Sequence, residues 1–223
     1  MEQSPWRKKL ISLLTDPRLG LSPALDLDAA APRLETYIGL WQKWNRIHNL
    51  TAEKEVLPFL EKHVFESLLF ARALAPDAKI LDFGSGAGLP GIPLKIAMPG
   101  LDVTLLESQR RRANFLRTVV RELGLPGLEA VEGRGEEQGR LPTWRGAYDA
   151  VVFRAVADTS RCLDLGAPFL RPGGRVLLMR TAAQARQAAG IRHALKFADA
   201  APVSGYGGAP CTLLSFVRET PLD

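Results

Sequence analysis

From residue 79 onward, short apolar runs alternate with stretches long enough for helices, and this alternation limits the folds open to the chain. KILDF (79–83), VTLLE (103–107), LEAVE (128–132), YDAVVF (148–153) and RVLLM (175–179) are bounded by Gly, Pro or charged residues. Between them, residues 89–98, 108–124 and 158–169 are predicted as helices, and residues 181–197 as another after the fifth run. Strands that are almost wholly apolar belong in a parallel sheet covered on both faces, since a solvated face would impose alternation. Two last strands, near 201–206 and 212–217, are joined through GGAP (207–210). A turn that short permits only an antiparallel pair. Upstream, Leu34, Tyr37, Ile38, Trp41 and Trp44, then Phe59, Leu60, Val64, Leu68 and Leu69, fall at helical spacing, with Pro32 at one helix start and Pro58 near another. The expected architecture is α/β. A helical extension (residues 1–75) precedes a Rossmann-like, seven-stranded, mostly parallel sheet with an antiparallel C-terminal hairpin (residues 76–223).

A length of 223 residues suits one domain with an extension. With 46% hydrophobic and 24% charged residues, disorder, collagen and coiled coil are excluded. The longest apolar runs, such as AVVF (150–153) and VLLM (176–179), fall far short of the roughly 18 residues a membrane helix needs. MEQSPWRKKLISLLTDPR at the N-terminus is interrupted by Asp16 and Pro17, which argues against a secretory signal. Cys162 and Cys211 belong to no CxxC or Cys/His cluster, so no metal site or disulfide framework is expected, and a reducing, cytoplasmic setting fits. The net charge of +5 is compatible with a nucleic-acid partner without requiring one.

LDFGSGAGLPGIPL (81–94) follows the first strand. Open sheets bind ligands beyond the carboxyl ends of their strands, near the point where the winding reverses. Gly84, Gly86 and Gly88 stand where strand turns sharply into helix, and without Cβ atoms they let a ligand approach the backbone. Such a turn also occurs for its shape alone. Two cofactor patterns overlap here. GAGLPG (86–91) satisfies the G-x-G-x-x-G dinucleotide pattern, whereas DFGSGAG (82–88) satisfies a D-x-G-x-G-x-G pattern suited to S-adenosyl-L-methionine. Charge separates them. A pyrophosphate needs free N–H groups at the helix start; here Asp82 precedes the loop, Pro90 removes a donor, and no basic residue lies between 80 and 94. A sulfonium and an ammonium favour that acidic approach. Glu107 is placed for the ribose hydroxyls of either cofactor. S-adenosyl-L-methionine is therefore the favoured cofactor, with an NAD(P)-dependent oxidoreductase as the alternative.

Arg154 ends the fourth strand, where an apolar strand has no need of arginine unless it forms an internal ion pair. A guanidinium there could bind phosphate bidentately or donate to guanine O6. Arg110, Asn114, Arg117 and Arg121 share one helical stripe, and Ala113, Leu116, Val120 and Leu123 another. A solvated helix face and an RNA backbone contact both account for the first. Trp6 with Arg7, Lys8 and Lys9, and Trp41 and Trp44 with Lys43 and Arg46, form a basic–aromatic zone, although tryptophans at helical spacing belong to the core by default. GRGEE (133–137) reads by itself as a charged turn. Asn49 either caps a helix beginning near Thr51 or faces a target base, and His63 is equally ambiguous.

Four blocks in order carry a family resemblance: WNRIHNLT (44–51), LDFGSGAGLPGIPL (81–94), TLLESQRRRANFLR (104–117) with GRGEE following, and YDAVVFRAVA (148–157). Over roughly residues 35 to 180 the chain resembles the glucose-inhibited division protein B family of class I S-adenosylmethionine methyltransferases. Its members modify guanine N7 in bacterial 16S ribosomal RNA. The resemblance implies a cofactor site of Gly84, Gly86, Leu89, Glu107, Ser108, Gln109, Gly135 and Glu136. It implies a cofactor- or substrate-side role for Arg154, an active-site role for Asn49, and Arg134 beside Gly135 and Glu136; with the helical stripe, Arg110, Arg117, Arg121 and Arg134 are the candidate RNA contacts. A monomer acting on 16S RNA or the small subunit is expected. RAVA (154–157) stands where amino-directed nucleic-acid methyltransferases of this fold carry an acid or Asn, two prolines and an aromatic. Guanine N7 bears no proton, so alignment replaces a general base. The chain departs from the family pattern at Glu66, where Asp is typical, at Arg180-Thr181, where Lys-Gly is typical, and at Cys211, where Arg is typical. A non-catalytic RNA-binding module and a small-molecule methyltransferase stay as alternatives.

Overall fold

A computed structural model describes residues 6–21, 25–154 and 156–219. The first five positions of the N-terminal stretch, and Ala155 within RAVA, lie outside the described residues.

Seven strands form one sheet: β1 (Lys79–Phe83), β2 (Asp102–Glu107), β3 (Leu128–Glu132), β4 (Tyr148–Phe153), β5 (Leu170–Arg180), β6 (Lys196–Ser204) and β7 (Pro210–Val217). Their order is β3-β2-β1-β4-β5-β7-β6. The first five are parallel, and β7 runs antiparallel to both β5 and β6. The winding reverses between β1 and β4, so the glycine turn after β1 lies at the switch point.

The helices are α1 (Arg7–Leu14), α2 (Leu27–His48), α3 (Val56–Pro58), α4 (Phe65–Leu68), α5 (Gly91–Ala97), α6 (Arg110–Leu123), α7 (Gly135–Gln138), α8 (Thr159–Gly166) and α9 (Ala182–Ala188). A π-helical turn, Phe59–Val64, links α3 to α4. Pro32 lies inside α2 rather than at its start, because the Asp26 carboxylate caps the helix earlier by accepting the Ala29 N–H at 3.0 Å. The helix expected over 181–197 ends at Ala188, and Lys196 onward pairs with β7 from Lys196↔Val217 to Ser204↔Pro210. β6 is an edge strand with most of its side chains exposed, so it lacks the apolar run that marks the buried strands.

Alternation along the strands builds two cores. Ile80, Val103, Leu105 and Val152 face the N-terminal helices and α6, where Leu34, Tyr37, Ile38, Trp41, Phe59 and Leu116 meet them. Leu81, Phe83, Leu106, Val151 and Phe153 face α8 through Cys162 and Leu163. Trp41 stacks on Phe59 with ring centroids 3.8 Å apart, so this tryptophan belongs to the core. α2 thus shares a core with the sheet and is held against the end of β1.

Candidate functional site

Two hollows open beyond the carboxyl ends of the strands, and Arg154 and Val156 form part of the wall of both. The first encloses about 370 Å³. Its floor is the glycine turn, Gly84 to Ala87 with Leu89; Glu107, Ser108 and Gln109 after β2 form one side, and Leu50, Thr51 and Arg112 complete it.

The turn is tied down almost entirely by its own backbone. Gly84 has φ +73°, and a Cβ there would stand 3.2 Å from Val156 Cγ2, so any larger residue is strained and crowded. The Gly84 and Ser85 N–H groups donate to the Leu106 carbonyl at 2.8 and 3.1 Å, and those of Gly88 and Leu89 donate to the Ser85 carbonyl. From the other side, the Tyr37 hydroxyl donates to the Ala87 carbonyl at 2.7 Å; it is fully buried, and burial pushes its pKa up.

Glu107 is 4% exposed. Its two carboxylate oxygens accept the Gly86 N–H at 2.9 Å and the Gln109 N–H at 2.8 Å. This bridge fixes the carboxylate at the rim and leaves each oxygen a further lone pair.

Asp82 does not line the hollow. Its carboxylate turns inward to the start of α5, where Oδ2 accepts the Gly91 N–H at 2.9 Å; Oδ1 has no partner among the described residues. The expected acidic approach is therefore corrected: Glu107 supplies the carboxylate at the hollow, and Arg112 and Arg154 bring cations from outside the 80–94 segment. Pyrophosphate is disfavoured for a firmer reason. At the start of α5 the Gly91 N–H is held by Asp82, the Ile92 N–H by the Gly88 carbonyl and the Leu94 N–H by the Pro90 carbonyl, while Pro90 and Pro93 have none. The protein's own carboxylate occupies the position an anion would take.

Arg154 is 14% exposed at its side chain and donates through Nη2 to Glu66 Oε2 at 3.0 Å and to His63 Nδ1 at 2.7 Å. Both the ion pair and the placement at the hollows are thus realised. Because arginine only donates, His63 Nδ1 is the bare nitrogen. Burial, then the Arg154 charge, lowers the His63 pKa to about 4, so the ring is neutral at pH 7.

Of the residues singled out from sequence, Gly84, Gly86, Leu89, Glu107, Ser108, Gln109 and Arg154 come together around the first hollow. Gly135 instead packs beneath the Phe83 ring, and Glu136 forms an exposed ion pair with Arg161 at 2.7 Å. Their turn still abuts the site, since the Gly133 N–H donates to the Glu107 backbone carbonyl at 3.0 Å. Arg134 is exposed on that turn. Asn49 does not begin a helix: it ends α2 with φ +48°, and its Oδ1 accepts from Lys54 Nζ at 2.6 Å. The next helix starts only at Val56, so the N-cap reading is overturned by the left-handed C-cap. Arg117 pairs with Glu132 and Arg121 with Glu122, both exposed, whereas Arg110 has no ion-pair partner among the described residues.

Sequence reasoning passed over Asn45, Tyr37 and Arg112. Asn45 is 2% exposed and crosses the loop after α2, accepting the Thr51 N–H at 2.8 Å and donating to the Glu53 carbonyl at 2.6 Å. A polar residue on the otherwise apolar stripe of α2 was the available signal. Arg112 sits inside the RRR run, and only its helical offset from Arg110 separates it from the solvated stripe.

Comparison with solved structures places the fold. An O-methyltransferase from Bacillus cereus in complex with SAH superposes with a TM-score of 0.57 at 17% identity, covering 82% of this chain and 90% of that one. A SAM-dependent methyltransferase from Aquifex aeolicus gives 0.54 at 16% identity, over 78% and 97%. The protein has the class I methyltransferase fold, with its hollow at the switch point. More narrowly, residues 30–206 match the GidB family, rRNA small subunit methyltransferase G, and the chain belongs to that family. Ribosomal RNA small subunit methyltransferase G of Stenotrophomonas maltophilia (strain K279a) is 40% identical over 70% of this chain and 72% of its own length. That of Streptococcus thermophilus (strain ATCC BAA-491 / LMD-9) is 34% identical over 85% and 84%.

Proposed function

We propose that this protein transfers a methyl group from S-adenosyl-L-methionine to N7 of a guanine in 16S ribosomal RNA. The observation that carries the reading is the first hollow, where Glu107 is presented at the rim while the helix start behind it is closed to a diphosphate. When bound, the cofactor supplies an electrophilic methyl group on a sulfonium. Glu107 has lone pairs left to accept ribose hydroxyls, with Ser108 and Gln109 beside it. Gly84, Gly86 and Leu89 offer close backbone approach, and Arg112 offers a cation for the donor's carboxylate. Gly135 and Glu136 stay assigned to the adenine side on family likeness, supported by the Gly133–Glu107 backbone bond.

Arg154, held by Glu66 and His63, orients the base by donating to guanine O6. Asn49, next to Leu50 and Thr51 of the hollow's wall, assists at the rim. Each Glu107 oxygen holds a backbone N–H, and Glu66 Oε2 and His63 Nδ1 both accept from Arg154. N7 asks for no base, since its in-plane lone pair carries no proton; what the residues supply is alignment and exclusion of water. In this reading the helical extension walls the site through Leu50, Thr51, His63 and Glu66, the sheet domain holds the donor, and the protein works as a cytoplasmic monomer on the small subunit or its RNA.

The test is to incubate the protein with labelled S-adenosylmethionine and small subunits from cells lacking the modification, then map the product by mass spectrometry. Label at N7 of one guanine is expected, and Arg154→Ala should slow transfer about 100-fold in a protein that still folds, with stability lowered by loss of the Glu66 and His63 contacts. Label on another atom would overturn the N7 assignment, and no incorporation would overturn the activity.

A further inference from the structure

We propose that the second hollow seats the target nucleotide, with Arg180 as the anchor for its phosphate. The inference rests on the methyltransferase reading above and names the place where that reaction receives its substrate.

The hollow encloses about 590 Å³, within the range of roughly 300–1,000 Å³ usual for small-ligand sites. Arg180 ends β5 and lines it, yet the residue is only 7% exposed. Its guanidinium is held by neutral groups alone. Nε donates to Thr159 Oγ1 at 3.2 Å, Nη1 to the Met179 carbonyl at 3.3 Å, and Nη2 to the Ala157 carbonyl at 2.7 Å and Cys162 Sγ at 3.4 Å. Among the described residues no carboxylate lies within ion-pair distance, and one Nη1 N–H has no acceptor. Arg154, one strand away, shows the usual arrangement, a buried arginine balanced by Glu66.

A buried charge without a counter-charge is costly, so an arginine fixed in this way is completed by an anion. The neutral bonds set the plane and aim of the guanidinium without neutralising it. The surroundings select a nucleotide over a bare anion. Met179 and Val156 give an apolar wall suited to a base or sugar. Arg154 is balanced by Glu66, Lys62 by Glu53 at 3.1 Å, and His63 is neutral, which leaves Arg180 as the lining cation with no ion-pair partner among the described residues. Because Arg154 and Val156 also wall the first hollow, a base drawn out of its RNA stack reaches the donor past Arg154 while its phosphate rests on Arg180.

The full-length protein saturated with S-adenosylhomocysteine is titrated calorimetrically with guanosine 5′-monophosphate, guanosine and inorganic phosphate. The nucleotide is expected to bind more tightly than either part, without displacing S-adenosylhomocysteine. Arg180→Gln should weaken the nucleotide tenfold or more, since a charged hydrogen bond contributes about that much, and leave guanosine binding within about twofold. Arg180→Lys should recover part of the loss. Several results would overturn the inference: no nucleotide binding at millimolar concentration, equal binding by Arg180→Gln, displacement by S-adenosylhomocysteine, or phosphate binding as tightly as the nucleotide. Should Arg180→Gln not fold, the gap between nucleotide and guanosine in the natural protein decides the matter. Failure of S-adenosylhomocysteine itself to bind would instead count against the proposed activity.

Discussion

At the scale of single residues, Asp82 has the least ordinary environment of the site's carboxylates. It is fully buried, accepts one backbone N–H, and burial raises its pKa from 3.8 to about 7. In the native state this carboxyl therefore holds a proton that the unfolded chain has already lost between about pH 4 and about pH 7. Stability from this group is greatest below that window, falls as pH rises through it, and stays reduced above about pH 7. Asp82→Asn keeps an acceptor for the Gly91 N–H and removes the titration. Thermal unfolding followed across that window should show a flatter pH dependence in the variant, and an unchanged slope would place the dependence elsewhere. That residue 82 is acidic was legible in the sequence. That it faces the helix start and not the ligand was not, because side-chain direction depends on which strand face meets α5.

At the scale of elements, α2 acts as a brace for the turn after β1. Three polar ties leave its buried face: Tyr37 to the Ala87 carbonyl, Trp41 Nε1 to Thr51 Oγ1 at 3.2 Å, and Asn45 to the Thr51–Glu53 loop. Tyr37→Phe removes one hydroxyl and leaves a buried carbonyl without its donor, which costs about 1–3 kcal/mol. Denaturant unfolding should show that loss, and S-adenosylhomocysteine affinity should fall, because the glycine turn is held from that side. Undiminished affinity would show that the backbone bonds of the turn suffice without the brace. Helical period placed Tyr37 and Trp41 on the buried stripe, but period carries no information about what a hydroxyl meets 50 residues later. The edge strand β6, expected from about residue 201, begins at Lys196 for a related reason: exposure on most of its side chains erased the apolar run that would have marked its start.

At the scale of the whole molecule, the surplus of positive charge is spread over faces that differ in how free their cations are. On α6, Arg117 and Arg121 are already paired, whereas Arg110 and Arg111 have no ion-pair partner among the described residues. RNA affinity should fall as salt rises, each arginine on a phosphate adding about 0.7–0.9 to the slope of log affinity against log salt. Replacing Arg110 and Arg111 together by Gln should lower that slope by about 1.5 if both meet phosphate. An unchanged slope would remove this helix from the RNA interface.

The sheet, its winding and the turn at the switch point were determined by the sequence alone, because apolar runs and glycine spacing are local signals that solvent exclusion and backbone sterics enforce directly. The place of Glu107 beside that turn followed, since parallel neighbours end at the same edge, and Ser108 and Gln109 came with the family resemblance. Only the tertiary structure decided the charge of the site. Arg112 enters the first hollow from α6, Asp82 leaves it for α5, and Arg180 is buried with no carboxylate in ion-pair distance among the described residues. Electrostatic environment is set by which distant residues share a low-dielectric volume, and chain order does not record that.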